Sequence, residues 1–387
     1  MSSMLLGSER LLQSSRLKGL RVGVVANPAS VNRHFQHITE RLSVSTDFAL
    51  TAIFGPQHGY RSDLQDNMIE TPHDEDPRRN VPIFSLYSET REPTAEMLSL
   101  VDVLVIDLQD VGSRIYTFVY TMANCLRAMA RAGKPVIVTD RPNPIGGVRV
   151  EGPTLEPGFE SFVGQFRMPM RHGMTIGELA LYFNQWIGAE LEVVAMDGWS
   201  RDMYWDDTHL PWVLPSPNVP TLDTAIVYPG TVMVEGTMLS EGRGTTRPFE
   251  LIGVPWADGE LFAGRMNRVG LGGVHFRGVH FEPTFQKHAK TTCGGCQIHV
   301  LDRHAFKPVT TGVSLIREFY GTAPDLFAWR EPPYEYEHDK MPIDILAGSP
   351  ALRGQVEAQA SIAEIEATWE AGEKEFREQR TPHLLYD

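Results

Sequence analysis

Between residues 20 and 139, short β-branched runs alternate with helix-patterned stretches, and this limits the folds open to the chain. Leu20–Ala26 (LRVGVVA), Phe48–Phe54 (FALTAIF), Val81–Leu86 (VPIFSL), Val101–Asp107 (VDVLVID) and Pro135–Thr139 (PVIVT) read as strands. A helix is expected around Asn32–Leu42, with Phe35, Ile38 and Leu42 on one face. A second covers Pro93–Leu100, with Pro93 suited to its first position. A third covers Tyr116–Arg131 and is closed by Gly133. The uninterrupted apolar run of VDVLVID suits a strand buried on both faces. Such alternation predicts βαβ units and an α/β, Rossmann-like, mostly parallel sheet.

Beyond residue 140 the pattern loosens. RPNPIGG (141–147) is a turn cluster, and Leu191–Ala195 is one more strand. Thr175–Ile187 reads as a helix with Thr175 as N-cap and Glu178 at the capping-box position. Residues 198–222 are rich in Trp, Asp and Pro and read as a long ordered loop. Its Trp199, Tyr204, Trp205 and Trp212 suit either sugar stacking or packing of the loop. From Asp223, strands separated by Gly-rich turns, with helices near 258–268 and 309–320, predict a smaller α+β unit. Ala360–Arg377 reads as one acidic amphipathic helix. The expected organisation is therefore a Rossmann-like subdomain, 1–222, and an α+β subdomain, 223–387. A chain of 387 residues has the length for two such units.

Charge narrows the partners. With 35 basic and 49 acidic residues the net charge is −14, which disfavours nucleic acid and anionic membrane surfaces. Three cysteines are too few for a disulfide framework. No window approaches the ~20 apolar residues of a membrane span, and the first residues have no signal-peptide core, so a cytoplasmic protein is expected.

In an open parallel sheet, ligands bind beyond the carboxyl ends of the strands. Those positions hold Asn27-Pro28, then GPQHGYR (55–61) with Gln57, His58 and Arg61, then DLQDVGSR (107–114) with Asp110 and Arg114, then DRPNP (140–144) with Asp140 and Asn143. Together they predict a polar cleft. No G-x-G-x-x-G or P-loop pattern follows a strand, so no nucleotide cofactor is called for. The stretch VEGTMLSEGRGTTRPFE (234–250) adds Glu235, Glu241, Arg243 and Arg247, whose guanidinium groups can clamp a carboxylate or rim a hairpin. His172, in MRHGMT, is placed to reach a cleft or to cap the following helix. Cys293 and Cys296 have C-x-x-C spacing, but no second such pair exists and Gln297–Leu301 looks like a strand. A buried structural pair is expected, and no metal.

FGPQHGYR (54–61), SLYSETREPT (85–94), DLQDVGSRIYTF (107–118), DRPNPIGG (140–147), RHGMTIGEL (171–179), LPSPNVPTLD (214–223), EGTMLSEGRGTTRPFE (235–250) and CGGCQIHVLD (293–302) together resemble the NamZ-type exo-β-N-acetylmuramidases, the YbbC-like family, over almost the whole chain. The resemblance implies a cleft between the two subdomains and release of N-acetylmuramic acid from the non-reducing end of peptidoglycan fragments, in cell-wall recycling. The implied partners are muramic-acid saccharides or muropeptides. Their lactyl carboxylate suits Arg243, Arg247 or Arg61. Their acetamido and hydroxyl groups suit Gln57, His58, Arg114, Asp140, Asn143, His172, Asn218, Glu235 and Glu241.

Two positions depart from the family pattern. Many relatives have Glu where this chain has Gln57, and that Glu is the one usually proposed to be catalytic. Relatives often have Asn where this chain has Met238. An amide cannot deliver a proton at neutral pH, so either another carboxylate acts or activity is lost or altered. Glu70 or Glu89, on loops beside Gln57, is the expected acid, with Asp110 as partner. The alternatives are a catalytically silent muropeptide-binding protein and a metal-dependent hydrolase using His58 and His172.

Overall fold

The computed structural model describes residues 4–66 and 68–387. Its first half contains β1 (Arg21–Ala26), β2 (Ala49–Gly55), β3 (Asp74–Asp76), β4 (Val81–Ser85), β5 (Val103–Asp107) and β6 (Val136–Thr139), then β7 (Glu151–Thr154), β8 (Pro169–Arg171) and β9 (Leu191–Val194). Among the described residues the central sheet runs β3-β4-β2-β1-β5-β6-β9. β3 pairs antiparallel with β4, and the remaining neighbours are parallel. β5 is buried at every residue, as its apolar run requires. The sheet grows from β1 through β2 to β4, then restarts on the other side of β1 with β5. This reversal opens a crevice at the carboxyl ends of β1 and β5, the usual ligand position in such sheets.

Local signals explain most helices. Phe118–Ala132 ends at Gly133, which takes a left-handed φ of 62°. Ile176–Ile187 starts from the Thr175–Glu178 capping box. Three expectations need correction. The helix expected over 32–42 is confined to Ile38–Ser43, because Asn32 Oδ1 accepts the amides of His34 and Gln36 and holds a turn instead. The helix after β4 covers Ala95–Ser99, because the Thr94 side chain caps Met97 N and leaves Pro93 outside. The tail helix is broken into Ile362–Ala367 and Glu370–Arg380.

The second half carries β10 (Leu251–Val254), β11 (Val274–Phe281) and β12 (Cys293–Val300) in an antiparallel sheet ordered β10-β12-β11. Helices Gly259–Val269 and Pro308–Thr322 lie near the expected positions. A helix at Leu222–Thr231, with Pro229 inside it, was not legible. Cys293 and Cys296 are buried free thiols on β12, and burial pushes Cys293 up to about 11. One apolar cluster runs from Phe54 and Ile106 in the sheet through Tyr228 and Phe249 to Phe319 and Phe376, so the two halves share a core. Among the described residues no helix is long and apolar enough to cross a membrane.

Candidate active site

Most of the strand-end edge is a closed polar network rather than an open cleft. Arg141 and Asp107 are almost wholly buried and pair at 3.2 Å. Arg141 also donates to Gln109 Oε1 at 3.0 Å and to the carbonyls of Ala29 and Val31 at 2.8 and 2.9 Å. Asp140 accepts from Thr175 Oγ1 at 2.8 Å, Gly177 N at 2.7 Å and Tyr386 Oη at 2.5 Å. Burial and the nearby Glu178 push Asp140 up to about 7. Asn143 donates to Met174 O, and His172 Nδ1 accepts from Met174 N. His172 Nε2 lies 3.3 Å from Asp110, and Arg114 donates to the carbonyls of Leu346 and Ala347. These contacts turn Asp110, Arg114, Asp140, Asn143 and His172 inward, into the packing between strand ends, hairpin and helices.

The opening lies at the reversal beside β1. A tight pocket of about 40 Å³ is walled by Gln57 and His58 after β2, residues 115–118 after β5, and Asn218 from the long loop. Glu235, Arg243 and Glu335 come from the second half. Asn218 Nδ2 donates to Gln65 O at 2.7 Å, which ties the long loop to the loop after β2.

Glu335 was not among the expected site residues. Gln57 Oε1 accepts from Thr117 Oγ1 at 2.8 Å, which turns Gln57 Nε2 toward Glu335 Oε1 at 3.4 Å. Glu335 Oε2 accepts from Tyr87 Oη at 3.1 Å. Glu335 and Tyr336 form the centre of a two-residue turn. Tyr334 N donates to Glu337 O and Glu337 N to Tyr334 O, both at 2.9 Å. Their φ values of 44° and 68° match a type I′ turn, which normally wants Asn-Gly. A Glu-Tyr pair held there stores backbone strain of roughly 1–3 kcal/mol per residue. Burial, then the charge of Glu235, pushes Glu335 up to about 7, so near neutrality it is partly protonated.

Glu235 has the opposite environment. Its Oε1 accepts from Arg243 Nη2 at 2.6 Å and its Oε2 from Tyr334 Oη at 2.7 Å. Burial alone would raise its pKa, but Arg243 outweighs burial and holds it below the usual carboxylate value. Two buried acids are thus driven apart, one toward the protonated form and one toward the charged form. Behind them Glu241 lies 3.4 Å from Arg243 Nε and accepts from the buried Lys287 at 2.8 Å. Gly242 takes φ 76°, and a Cβ there would sit 2.8 Å from Leu251 O, so glycine is needed where the chain turns to aim Arg243. Arg243 Nη1 is buried at the pocket without a hydrogen-bond partner, a donor suited to an incoming acceptor. His58, with φ 70°, has Nδ1 2.8 Å from Leu64 O, and burial lowers it to about 4, so it is neutral at pH 7.

The remaining expected residues lie farther out. Glu70 and Glu89 are exposed and line an open basin outside the pocket, whose inner wall includes Glu335. Arg61 is exposed beside Asp74, and Arg247 is half-exposed and paired with Glu250. Among the described residues no three His, Cys, Asp or Glu side chains gather as a metal site. The segment PPYEYEHD (332–339) carried no local signal for Glu335, because neither its turn type nor its partner Gln57 is visible in the neighbouring residues.

The chain matches the family models described as "Exo-beta-N-acetylmuramidase NamZ, N-terminal" over residues 22–223 and "Exo-beta-N-acetylmuramidase NamZ, C-terminal" over residues 226–386. It is 45% identical over 373 residues to the peptidoglycan beta-N-acetylmuramidase NamZ of Bacillus subtilis (strain 168), covering 96% of this chain and 88% of that protein. A DUF1343 family protein from Bacteroides fragilis superposes with a TM-score of 0.88 at 32% identity, over the whole of both chains. A second, from the same organism, gives 0.77 at 26% identity, over 100% of this chain and 99% of that one. With both family models matched and 45% identity over 96% of its length, the chain belongs to the NamZ family of exo-β-N-acetylmuramidases.

Proposed function

We propose that this pocket hydrolyses the terminal β-linked N-acetylmuramic acid of peptidoglycan fragments, with Glu335 as the proton donor. The observation that carries the reading is Glu335 itself, a buried carboxyl raised to about 7 on the pocket wall opposite an ionised Glu235. Glu335 delivers its proton to the glycosidic oxygen as the C1–O bond breaks, and the leaving sugar departs as an alcohol. Positive charge growing at C1 is met by the Glu235 carboxylate. Water supplies the hydroxyl at C1, and its other proton restores the acid. Arg243 Nη1 is the donor offered to the lactyl carboxylate. Gln57 keeps the position of the family's glutamate but acts as a hydrogen-bond holder of Glu335.

The test is incubation with a β-muramide and the matching β-glucosaminide, each as an aryl glycoside and as a disaccharide. Release of muramic acid that disappears in Glu335→Gln is expected. No release from any substrate by the wild-type chain would sink the reading. Gln57 favours one second reading, a silent muropeptide binder. Calorimetry showing muramic acid binding without turnover would support it.

A further inference from the structure

Lys287 sits in the link between β11 and β12, outside the pocket walls, yet its side chain is only 9% exposed. Its three donors are all engaged. Nζ donates to Glu241 Oε2 at 2.8 Å, to Leu239 O at 2.9 Å and to Val234 O at 3.1 Å. The two carbonyls lie on either side of Glu235 in the chain. Gln286 donates to Asp66 in the loop after β2, and His288 Nε2 lies 2.6 Å from Met238 O, so the link is fastened to both sides of the pocket. We propose that Lys287 is a positioning residue for the reaction: its charge occupies Glu241, which leaves the Arg243 guanidinium to serve Glu235. This rests on the role given to Glu235 in the pocket.

The geometry is a row of alternating charges. Arg243 stands between two carboxylates, 2.6 Å from Glu235 and 3.4 Å from Glu241. One guanidinium does not balance two buried carboxylates, and a buried charge without a partner is costly. Lys287 supplies the second cation. The row Lys287, Glu241, Arg243, Glu235 then carries two positive and two negative charges. The unequal distances agree with this division. Arg243 Nε has no hydrogen-bond partner although Glu241 is close, because Glu241 is served by Lys287, and the short contact of Arg243 goes to Glu235. Two further charges bear on the row. Glu335 and Glu235 repel each other, and Arg330, 5.3 Å from the Tyr334 ring centroid, repels Lys287. Tyr228, Tyr334 and His58 also face Glu235 and are uncharged near neutrality.

The experiment follows Glu235 by NMR titration of the full chain, isotope-labelled at its glutamate carboxyl carbons, without substrate. Glu235→Gln assigns the signal. Lys287→Met leaves Arg243 shared between two carboxylates, and the Glu235 midpoint should rise by about one pH unit or more. Lys287→Met combined with Glu241→Gln restores the charge balance and should bring the midpoint back to within about half a unit of wild type, although both variants lose the same bonds to Val234 and Leu239. Glu241→Gln alone keeps those bonds and should move the midpoint down. The acidic limb of kcat on an aryl β-muramide should follow the same three shifts. An unmoved midpoint in Lys287→Met or in Glu241→Gln overturns the proposal. So does a double variant that titrates like Lys287→Met, which would make Lys287 a holder of the loop and nothing more. If the wild type does not turn over the muramide while the midpoints shift as described, the muramidase reading fails and the charge row stands.

Discussion

Two buried polar assemblies share the carboxyl edge of the sheet, and they are built to opposite rules. Around Arg141, Asp107 and Asp140, charges and carbonyls close on each other, and the hydrogen bonds run within the protein. Around Glu335, two non-glycine residues are held at positive φ, an acid is kept half-protonated, and an arginine donor is left unused. The first arrangement stabilises the fold. The second gives up stability to keep groups ready for a ligand. In composition the two are alike, which is why a list of polar residues at strand ends does not separate them.

The contrast can be broken by swapping one group in each. Glu335→Gln should cut kcat/KM on a disaccharide by about 10²–10⁴-fold. The fold should not suffer. The folded-state pKa of Glu335 lies above the unfolded value, so its contribution to stability is complete below about pH 4 and fades as pH rises through about 7. At pH 8 the variant should therefore be more stable than wild type by about 1–3 kcal/mol in urea denaturation. A destabilised variant would place Glu335 with the structural network instead. Asp107→Ala should do the reverse. Stranding Arg141 without its partner should cost about 3–5 kcal/mol, with kcat of the folded fraction within a few-fold of wild type.

Subtler changes sharpen the comparison. Arg243→Lys keeps a charge beside Glu235 but loses the fork. The preference for muramide over glucosaminide should fall about tenfold, read as the ratio of kcat/KM values. An unchanged ratio would take the lactyl group away from Arg243. Because Glu335 must be protonated, kcat/KM should bend downward above about pH 7 and fall about tenfold per further pH unit. Gln57→Glu places a second carboxyl against Glu335, and the two then share a proton. The bend should move upward by about one pH unit, and a fixed bend would mean that Gln57 does not touch the working acid.

The elements that were legible are those whose cause is local. VDVLVID forms a fully buried strand, Thr175 and Glu178 cap their helix, and Gly133 ends another, each through residues within one turn or one strand. Where a side chain diverted the backbone, as Asn32 and Thr94 do, the boundary moved. In the site, Gln57, His58, Asn218, Glu235 and Arg243 were legible because strand-end loops and a Gly-rich Arg/Glu stretch announce themselves. Asp140 and Asn143 carried the same signals and have their hydrogen bonds made within the protein, a distinction set by partners such as Met174, Thr175 and Tyr386.

Glu335 marks the boundary between the two kinds of information. Strand and helix periodicity lies along the chain, so residue order was enough to establish a parallel sheet, its crevice and half of the pocket. The proposed proton donor meets Gln57 across 278 residues, in a turn its own sequence does not favour and beside a charge, Glu235, from a third segment. Burial and neighbouring charge set whether a carboxyl carries a proton, and both exist only once the distant segments have packed together.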